Sequence, residues 1–408
     1  MARLRKTLPD SFDLSHLISI GYLSQVCPRR VIDEVLTKYG KHNKRVRLLP
    51  SGFLVYFILA LALWREPSQE EVLRIVCDCL KLIFPDYARP TLPTKSAIFK
   101  ARLMLGPDVL REVANRVLRP KANPNTPGAW YNGLRLMSLD CGSFAVPDSK
   151  DNANFFGYPG AHRDEGDFPQ LRQLGLFETA SHVPVAAEVG PCSRSGQKLA
   201  ALMIDNGAFS PEMLIIADKN FYGYGLWKKA AETGAKLLWR VKSNLILPVE
   251  KRFPDNSFLS TVCDSRNSPD SMPIKVRVID FKIKAKNHPN GDKIYRTITN
   301  MLDYKSSPAK ELAALYHERR EIRSFFEELK IGLKGSSAII RSKVPDLVLQ
   351  DIWGLIIIHF TERQLMAEAA WECGKVPDKS NPISAVHVIR SKLPHVTSFP
   401  HSGEKEDD

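Results

Sequence analysis

The sequence predicts an all-α segment followed by an α/β domain built on a mixed sheet, and three observations carry that expectation. Apolar residues recur at helical spacing through residues 14–118, short apolar or alternating runs take over from 134, and a proline-rich stretch divides the two regimes. Strand-like runs interleaved with helical ones are the pattern of a layered α/β fold. With 408 residues and 44% hydrophobic content, the chain can pack the cores of two or three domains.

The first segment contains five helical stretches: "LSHLISIGYLSQV", "PRRVIDEVLTKYG", "PSGFLVYFILALALW", "SQEEVLRIVCDCLKLIF" and "TKSAIFKARLMLG". Pro28, Pro50, Pro67, Pro85 and Pro90 separate them, and Ser68 with Glu71 forms a capping box. The run "FLVYFILALALW" is twelve residues long, against the roughly 20 needed to span a bilayer. It reads as a buried helix. The stretch holding Lys95, Lys100 and Arg102 reads either as a DNA-recognition helix or as a helix with a solvated polar face. "RPKANPNTPGAW" (119–130) carries three prolines and a glycine and reads as a linker, which sets an N-terminal domain at 1–128.

Strand-like runs follow: "LRLMSLDCGSFAV" (134–146), "LRQLGLFETASHVPVAAEVG" (171–190), "MLIIAD" (213–218) and "KLLWRV" (236–241). The second suits a hairpin turning near Ser181 and His182. A helix is expected at 197–206, and "FYGYGLWKKAAETG" reads as a helix ended by Gly234. Residues 243–305 are strand-like, basic and turn-rich, and two long helices are expected at about 308–333 and 345–372. The α/β domain therefore covers 129–372, and 373–408 is a tail whose end, "HSGEKEDD", is polar and charged.

Charge points to a polyanionic partner. The 58 Lys and Arg exceed the 45 Asp and Glu, for a net charge of +13 and a pI near 9.3. The excess is uneven: residues 1–50 hold ten basic against four acidic residues, and residues 275–305 hold eight against three. The seven cysteines are scattered, with no C-x-x-C pair and no histidine at ligand spacing, which argues against a disulfide framework or a zinc site and fits a reducing cytoplasm. "MARLRKTLPD" lacks a following apolar core with a cleavage site, so no signal peptide is read. No Walker loop, dinucleotide fingerprint or Ser/His/Asp set is present.

Asp140 closes the apolar run "LRLMSLD" and Asp218 closes "MLIIAD". Functional groups of α/β sheets gather at strand ends, so two such carboxylates form a candidate cation site, although a single Asp there is more commonly a turn former. Carboxylates holding Mg²⁺ (or Mn²⁺) within basic surroundings suit phosphodiester chemistry. His162 and Arg163 fall in a polar loop, Trp227 and Trp239 read as core residues, and Asp148 reads as a turn residue.

The stretches "LDCGSFAVPDSKDNANFFGYPG" (139–160), "MLIIADKNFYGYGLW" (213–227), "LLWRVKSN" (237–244) and "LYHERREIRSFFEELKIGLKG" (315–335) resemble the catalytic motifs of the insertion-element-4 family of DDE transposases. Residues 14 to about 105 are similar to that family's N-terminal domain. The resemblance implies a ribonuclease-H-like core with Asp140 and Asp218 as metal-binding catalytic acids, and a β-rich insertion at about 243–305. It further implies Mg²⁺ or Mn²⁺ as cofactor, terminal inverted repeats and target sites in double-stranded DNA as partners, and a homodimer in the synaptic complex.

The family's third motif reads Y-x-x-R-x-x-x-E-x-x-x-x-x-x-K on a helix. Tyr316, Arg319 and Lys330 match it, but Arg323 stands where the pattern has the glutamate. At about 100° per residue, Tyr316, Arg319, Arg323 and Lys330 fall within roughly 60° of one another, a cationic stripe suited to DNA phosphate. A guanidinium cannot ligate a metal or lose its charge near neutral pH. Among the nearby acids only Glu327 returns to this face, one turn beyond Arg323 and about 6 Å along the axis, which makes it the candidate third catalytic acid.

Overall fold

The computed structural model describes residues 14–43, 49–64, 67–83, 93–159, 168–264, 272–283, 293–318 and 340–372. Among the described residues six helices come first: α1 (Leu14–Val26), α2 (Arg29–Lys38), α3 (Ser51–Leu63), α4 (Gln69–Ile83), α5 (Lys95–Leu105) and α6 (Pro107–Val117). Helix α3 is the apolar run read as buried, and Phe53 to Ala60 are indeed all buried. Among the described residues no helix is long and apolar enough to cross a membrane. The Ser68 hydroxyl accepts the Glu71 N–H at 3.2 Å at the start of α4, and the Thr94 hydroxyl caps α5 through Ala97 N–H at 3.3 Å.

Among the described residues the α/β part is a single sheet of ten strands. In chain order these are β1 (Trp130–Tyr131), β2 (Leu134–Ala145), β3 (Gln170–Glu178), β4 (Pro184–Pro191), β5 (Met213–Ala217), β6 (Lys236–Arg240), β7 (Lys251–Arg252), β8 (Phe258–Val262), β9 (Ile274–Ile283) and β10 (Lys293–Thr299). Their spatial order is β4-β3-β2-β5-β6-β10-β9-β8-β7, with β1 added beside β2. The pairs β2·β5 and β5·β6 are parallel, and the others are antiparallel. The basic 243–305 segment is thus no separate lobe. It leaves the sheet after β6, forms β7–β9, and returns as β10 on the edge of β6. The β1–β2 turn is Asn132-Gly133, with φ of 49° and 76°, the two left-handed positions of a type I′ hairpin. The hairpin read at Ser181 and His182 joins β3 to β4, with His182 at φ 58°.

Helices α7 (Lys150–Phe156), α8 (Gly196–Asp205), α9 (Tyr224–Glu232), α10 (Ala309–Glu318) and α11 (Pro345–Glu372) complete the described residues. Helices α8 and α9 cover one face of the central strands, where Trp227 and Trp239 are fully buried with ring centroids 5.3 Å apart. Helix α10 covers the opposite face over β5, β6 and β9. The helical segment and the sheet are joined by apolar packing across residues 119–130. Helix α11 lies against α3, α5 and α6, and its Ile356, Ile357 and Phe360 share one cluster with Phe57, Val113, Phe144 and Leu171. Glu178, fully buried, pins the connecting segment by accepting the N–H groups of Lys121 and Ala122 at 3.1 and 2.8 Å, with Arg135 as its ion-pair partner.

The α5 helix departs from the recognition-helix reading. Arg102 is only 2% exposed. It donates to Gln350 Oε1 at 3.0 Å, to the Leu347 carbonyl at 3.2 Å and to Asp351 Oδ1 at 2.6 Å, all on α11. Lys95 pairs with Glu70 at 2.9 Å, and Lys100 is exposed. The apparent basic face is split because the 3.6-residue period turns Arg102 inward beside Ile98 and Leu105. Arg102→Ala strips Asp351 of its buried counter-charge and should cost about 3–5 kcal/mol of stability, whereas Lys100→Ala should change it by less than about 0.5 kcal/mol. Urea unfolding of the two variants measures both.

Candidate active site

Strand β5 ends at Ala217, whose partner in β2 is Leu139 and in β6 is Trp239. The next residue on each strand is Asp140, Asp218 or Arg240, so these three stand level on adjacent parallel strands. Side chains alternate along a strand. Leu139, Ala217 and Trp239 pack under α8 and α9, while Leu136, Leu214, Ile216 and Leu238 face α10. Parity therefore puts Asp140, Asp218 and Arg240 on the α10 face. The sequence expectation needs one correction: Asp140 does not end its strand. Strand β2 runs on to Ala145, because β3 continues to pair with it as far as Ala145↔Gln170 after β5 has stopped. Asp140 sits where β2 loses one neighbour, and that loss opens the crevice.

Local structure holds each acid. Asp218 Oδ1 accepts the Lys219 N–H at 2.6 Å, and its carbonyl accepts the Phe221 N–H at 3.0 Å, so the chain turns directly after the carboxylate. The Gln197 amide braces that turn by donating to the carbonyls of Asn220 and Tyr222, both at 3.1 Å. Ser195 caps α8 through Lys198 N–H and so fixes Gln197 in turn. Opposite Asp140 in β3 lies Gly175. A Cβ there would come within 2.2 Å of the Phe177 ring, so only glycine lets that ring lie across the strand beside Asp140. Asp148 is a turn residue as read, accepting from the Tyr158 hydroxyl at 2.6 Å.

The face also carries an aromatic series. The Arg240 guanidinium lies 4.3 Å from the Tyr295 ring centroid. Tyr295 stacks on Phe281 at 5.9 Å, and Phe281 meets the Tyr316 ring at 6.0 Å. Tyr316 is only 4% exposed. Its ring anchors α10 to the sheet instead of standing on an open cationic stripe, because at this point the helix still buries an apolar stripe with Leu312. Arg319, Arg323, Glu327 and Lys330 lie outside the described residues, as do His162 and Arg163.

The insertion sets the position of α10. Arg277 of β9, fully buried, donates to Ser257 Oγ at 2.8 Å, to the Ser307 carbonyl at 2.6 Å and to Asp255 Oδ2 at 2.6 Å. Asp255 Oδ2 also accepts the Ala309 N–H at 2.9 Å, at the first turn of α10. A sequence signal for this pair is hard to find, since its members are remote from each other and from the motifs. Arg240 and Gln197 also belong to the site. For Arg240 a signal existed, because it closes the run "KLLWR" just as Asp218 closes "MLIIAD".

As a donor set, two hard carboxylates level on neighbouring strands suit Mg²⁺ or Mn²⁺. The Arg240 guanidinium stands 3.7 Å from Asp218 Oδ1. Among the described residues no third His, Cys, Asp or Glu joins them at metal-holding distance.

A mixed sheet flanked by helices, with acids level on two adjacent parallel strands, defines a ribonuclease-H-like core of the polynucleotidyl-transferase type. The family profile described as transposase DDE domain matches residues 133–359, and the one described as insertion element 4 transposase N-terminal matches residues 17–114. The chain belongs to the insertion element 4 family of DDE transposases. Transposase InsG for insertion sequence element IS4, from Escherichia coli (strain K12), is 25% identical over 347 residues, covering 83% of this chain and 75% of that one. A solved piggyBac transposase synaptic complex with hairpin DNA aligns with a TM-score of 0.44 at 10% identity, over 95% of this chain and 83% of that one.

Burial pushes the Asp255 carboxyl up, but hydrogen bonds from Ser257 and the Ala309 N–H, with the charge of Arg277, outweigh it and hold the group below its ordinary value. A depressed carboxyl stabilises the fold above its unfolded-state pKa and loses that contribution as pH falls through the folded value. Stability should therefore fall as pH drops below about 4, and Asp255→Asn should flatten that slope while lowering stability at neutral pH. Urea unfolding across a pH series tests this.

Proposed function

We propose that this transposase binds the terminal inverted repeats of an insertion sequence and is built to cleave and rejoin DNA at the face bearing Asp140 and Asp218. It would act as a synaptic homodimer in the bacterial cytoplasm. The observation that carries the reading is the level placement of the two acids on the face that α10 covers. Asp140 and Asp218 would hold Mg²⁺ or Mn²⁺. Bound there, the cation would stabilise charge on the attacking and leaving oxygens of a phosphodiester. The protein's part is positional: the Lys219 N–H aims the Asp218 carboxylate, Gln197 braces the turn, and Phe177 over Gly175 walls the space beside Asp140. Water would attack first, and the freed 3′-hydroxyl would then attack target DNA. Tyr316 anchors α10, and Arg319 and Lys330, which follow it in sequence, would reach phosphate.

Arg323 supports a second reading, an end-binding protein that does not cut. In the first reading Glu327 completes the site, so the unmodified protein nicks end-containing DNA with Mn²⁺ and Glu327→Gln abolishes nicking. In the second, the unmodified protein is silent and Arg323→Glu nicks. One helical turn, about 5.4 Å, is a large error for a metal ligand. The expected outcome is accordingly a silent natural chain and an active Arg323→Glu variant, with Asp140→Asn as the blank in both backgrounds. An inactive but folded and DNA-binding Arg323→Glu protein would show that position 323 is not the cause.

DNA binding is tested separately. Affinity for inverted-repeat DNA should fall linearly on a log–log salt plot, with a slope near −0.9 for each phosphate neutralised. Binding indifferent to salt would sink the electrostatic reading.

A further inference from the structure

Among the described residues Arg102, Arg240 and Arg277 are the least exposed arginines that face an aspartate, and one of these contacts is unlike the other two. Arg102 meets Asp351 at 2.6 Å and Arg277 meets Asp255 at 2.6 Å. Both are charge-assisted hydrogen bonds of full strength, made by arginines at most 3% exposed to aspartates 18% and 19% exposed. Arg240 Nη1 stands 3.7 Å from Asp218 Oδ1, beyond hydrogen-bond range, with both side chains 18% exposed. The same guanidinium lies 4.3 Å above the Tyr295 ring. Its backbone cannot drift, because β6 is paired on both sides at Trp239, to Ala217 and to Ile298.

We propose that Arg240 is an internal counter-ion that holds the cation position at Asp218 and is displaced by the incoming divalent metal, with the Tyr295 ring as its second seat. The proposal rests on the metal-site reading above. A guanidinium keeps its charge at any working pH, so it can yield Asp218 only by moving. The loose 3.7 Å contact makes that movement cheap, and the ring face offers the departing cation an attractive surface on the same side of the sheet. Arg240 offsets the negative charge of Asp218 at the expense of metal affinity.

Mn²⁺ titration of the full chain without DNA, followed by the electron paramagnetic resonance of the free ion, tests the idea independently of catalysis. Arg240→Gln should bind Mn²⁺ at least about tenfold more tightly, since a like charge beside the ligand is gone. Arg240→Lys, which keeps the charge, should not reproduce the gain, and Asp218→Asn should abolish it. Tyr295→Leu removes the second seat and should weaken Mn²⁺ binding, with no effect once Arg240 is Gln, the coupling expected of a double-mutant cycle. If Arg240→Gln binds no more tightly than the unmodified chain while Asp218→Asn weakens both, the competition is overturned and the metal site stands. Mn²⁺ binding indifferent to both Asp140→Asn and Asp218→Asn overturns the metal site and the competition together. Should Arg240→Gln not fold, Tyr295→Leu decides: weaker binding supports the second seat, and unchanged binding overturns it.

Discussion

The parallel pairing of Leu139 with Ala217 and of Ala217 with Trp239 governs the chemistry of this chain. Because side chains alternate, those three residues face one helical layer and the three that follow face the other. A slip of one residue in either pairing would send a carboxylate into the apolar layer under α8 and α9, among Met137, Leu199 and Trp227. The register is held by the burial of that layer, and most visibly by the two tryptophans packed edge to face within it. Positioning of the acids is thus a by-product of core packing on the face away from them.

The second determinant is the attachment of α10. A helix can cover a sheet face in many orientations, and apolar contact alone discriminates weakly among them. Here the choice is made at the N-terminus of the helix, where Asp255 holds the Ala309 N–H while Arg277 holds both Asp255 and the Ser307 carbonyl. Asp255 and Arg277 both belong to the β-rich insertion, so the insertion is a structural determinant of α10 as well as an extension of the sheet. The Phe281–Tyr316 contact fixes the other end of α10 to the same strand, β9.

Much of this architecture was legible in the sequence, and what escaped has physical reasons. Strands β2 to β6 and helices α8 and α9 lie close to where the sequence places them because their periods are unmixed: "MLIIAD" has no helical spacing, and "FYGYGLWKKAAETG" ends at a glycine with φ 83°, whereas β1 and α7 are too short to show a period. Asp140 and Asp218 were visible as polar ends to apolar runs. The role of Arg102 was not, because one basic residue on a helix looks like any other until the partner helix, far along the chain, is known. The Arg277–Asp255 pair escaped for the same reason, and the joining of helical segment to sheet escaped because prolines mark a break in local structure without showing whether packing crosses it.

That packing bears on how the chain acquires its structure. Helix α3 is apolar on all sides, and part of its surface is covered by α11, the last helix described. The Arg102–Gln350 contact alone spans 248 positions. During synthesis the first helices must therefore wait, with their most apolar surface unsheltered, until nearly the whole chain has emerged. Such long-range closure slows folding and leaves early segments open to self-association. The same arrangement means that the packing of the first helices is finished only once α11 has been made.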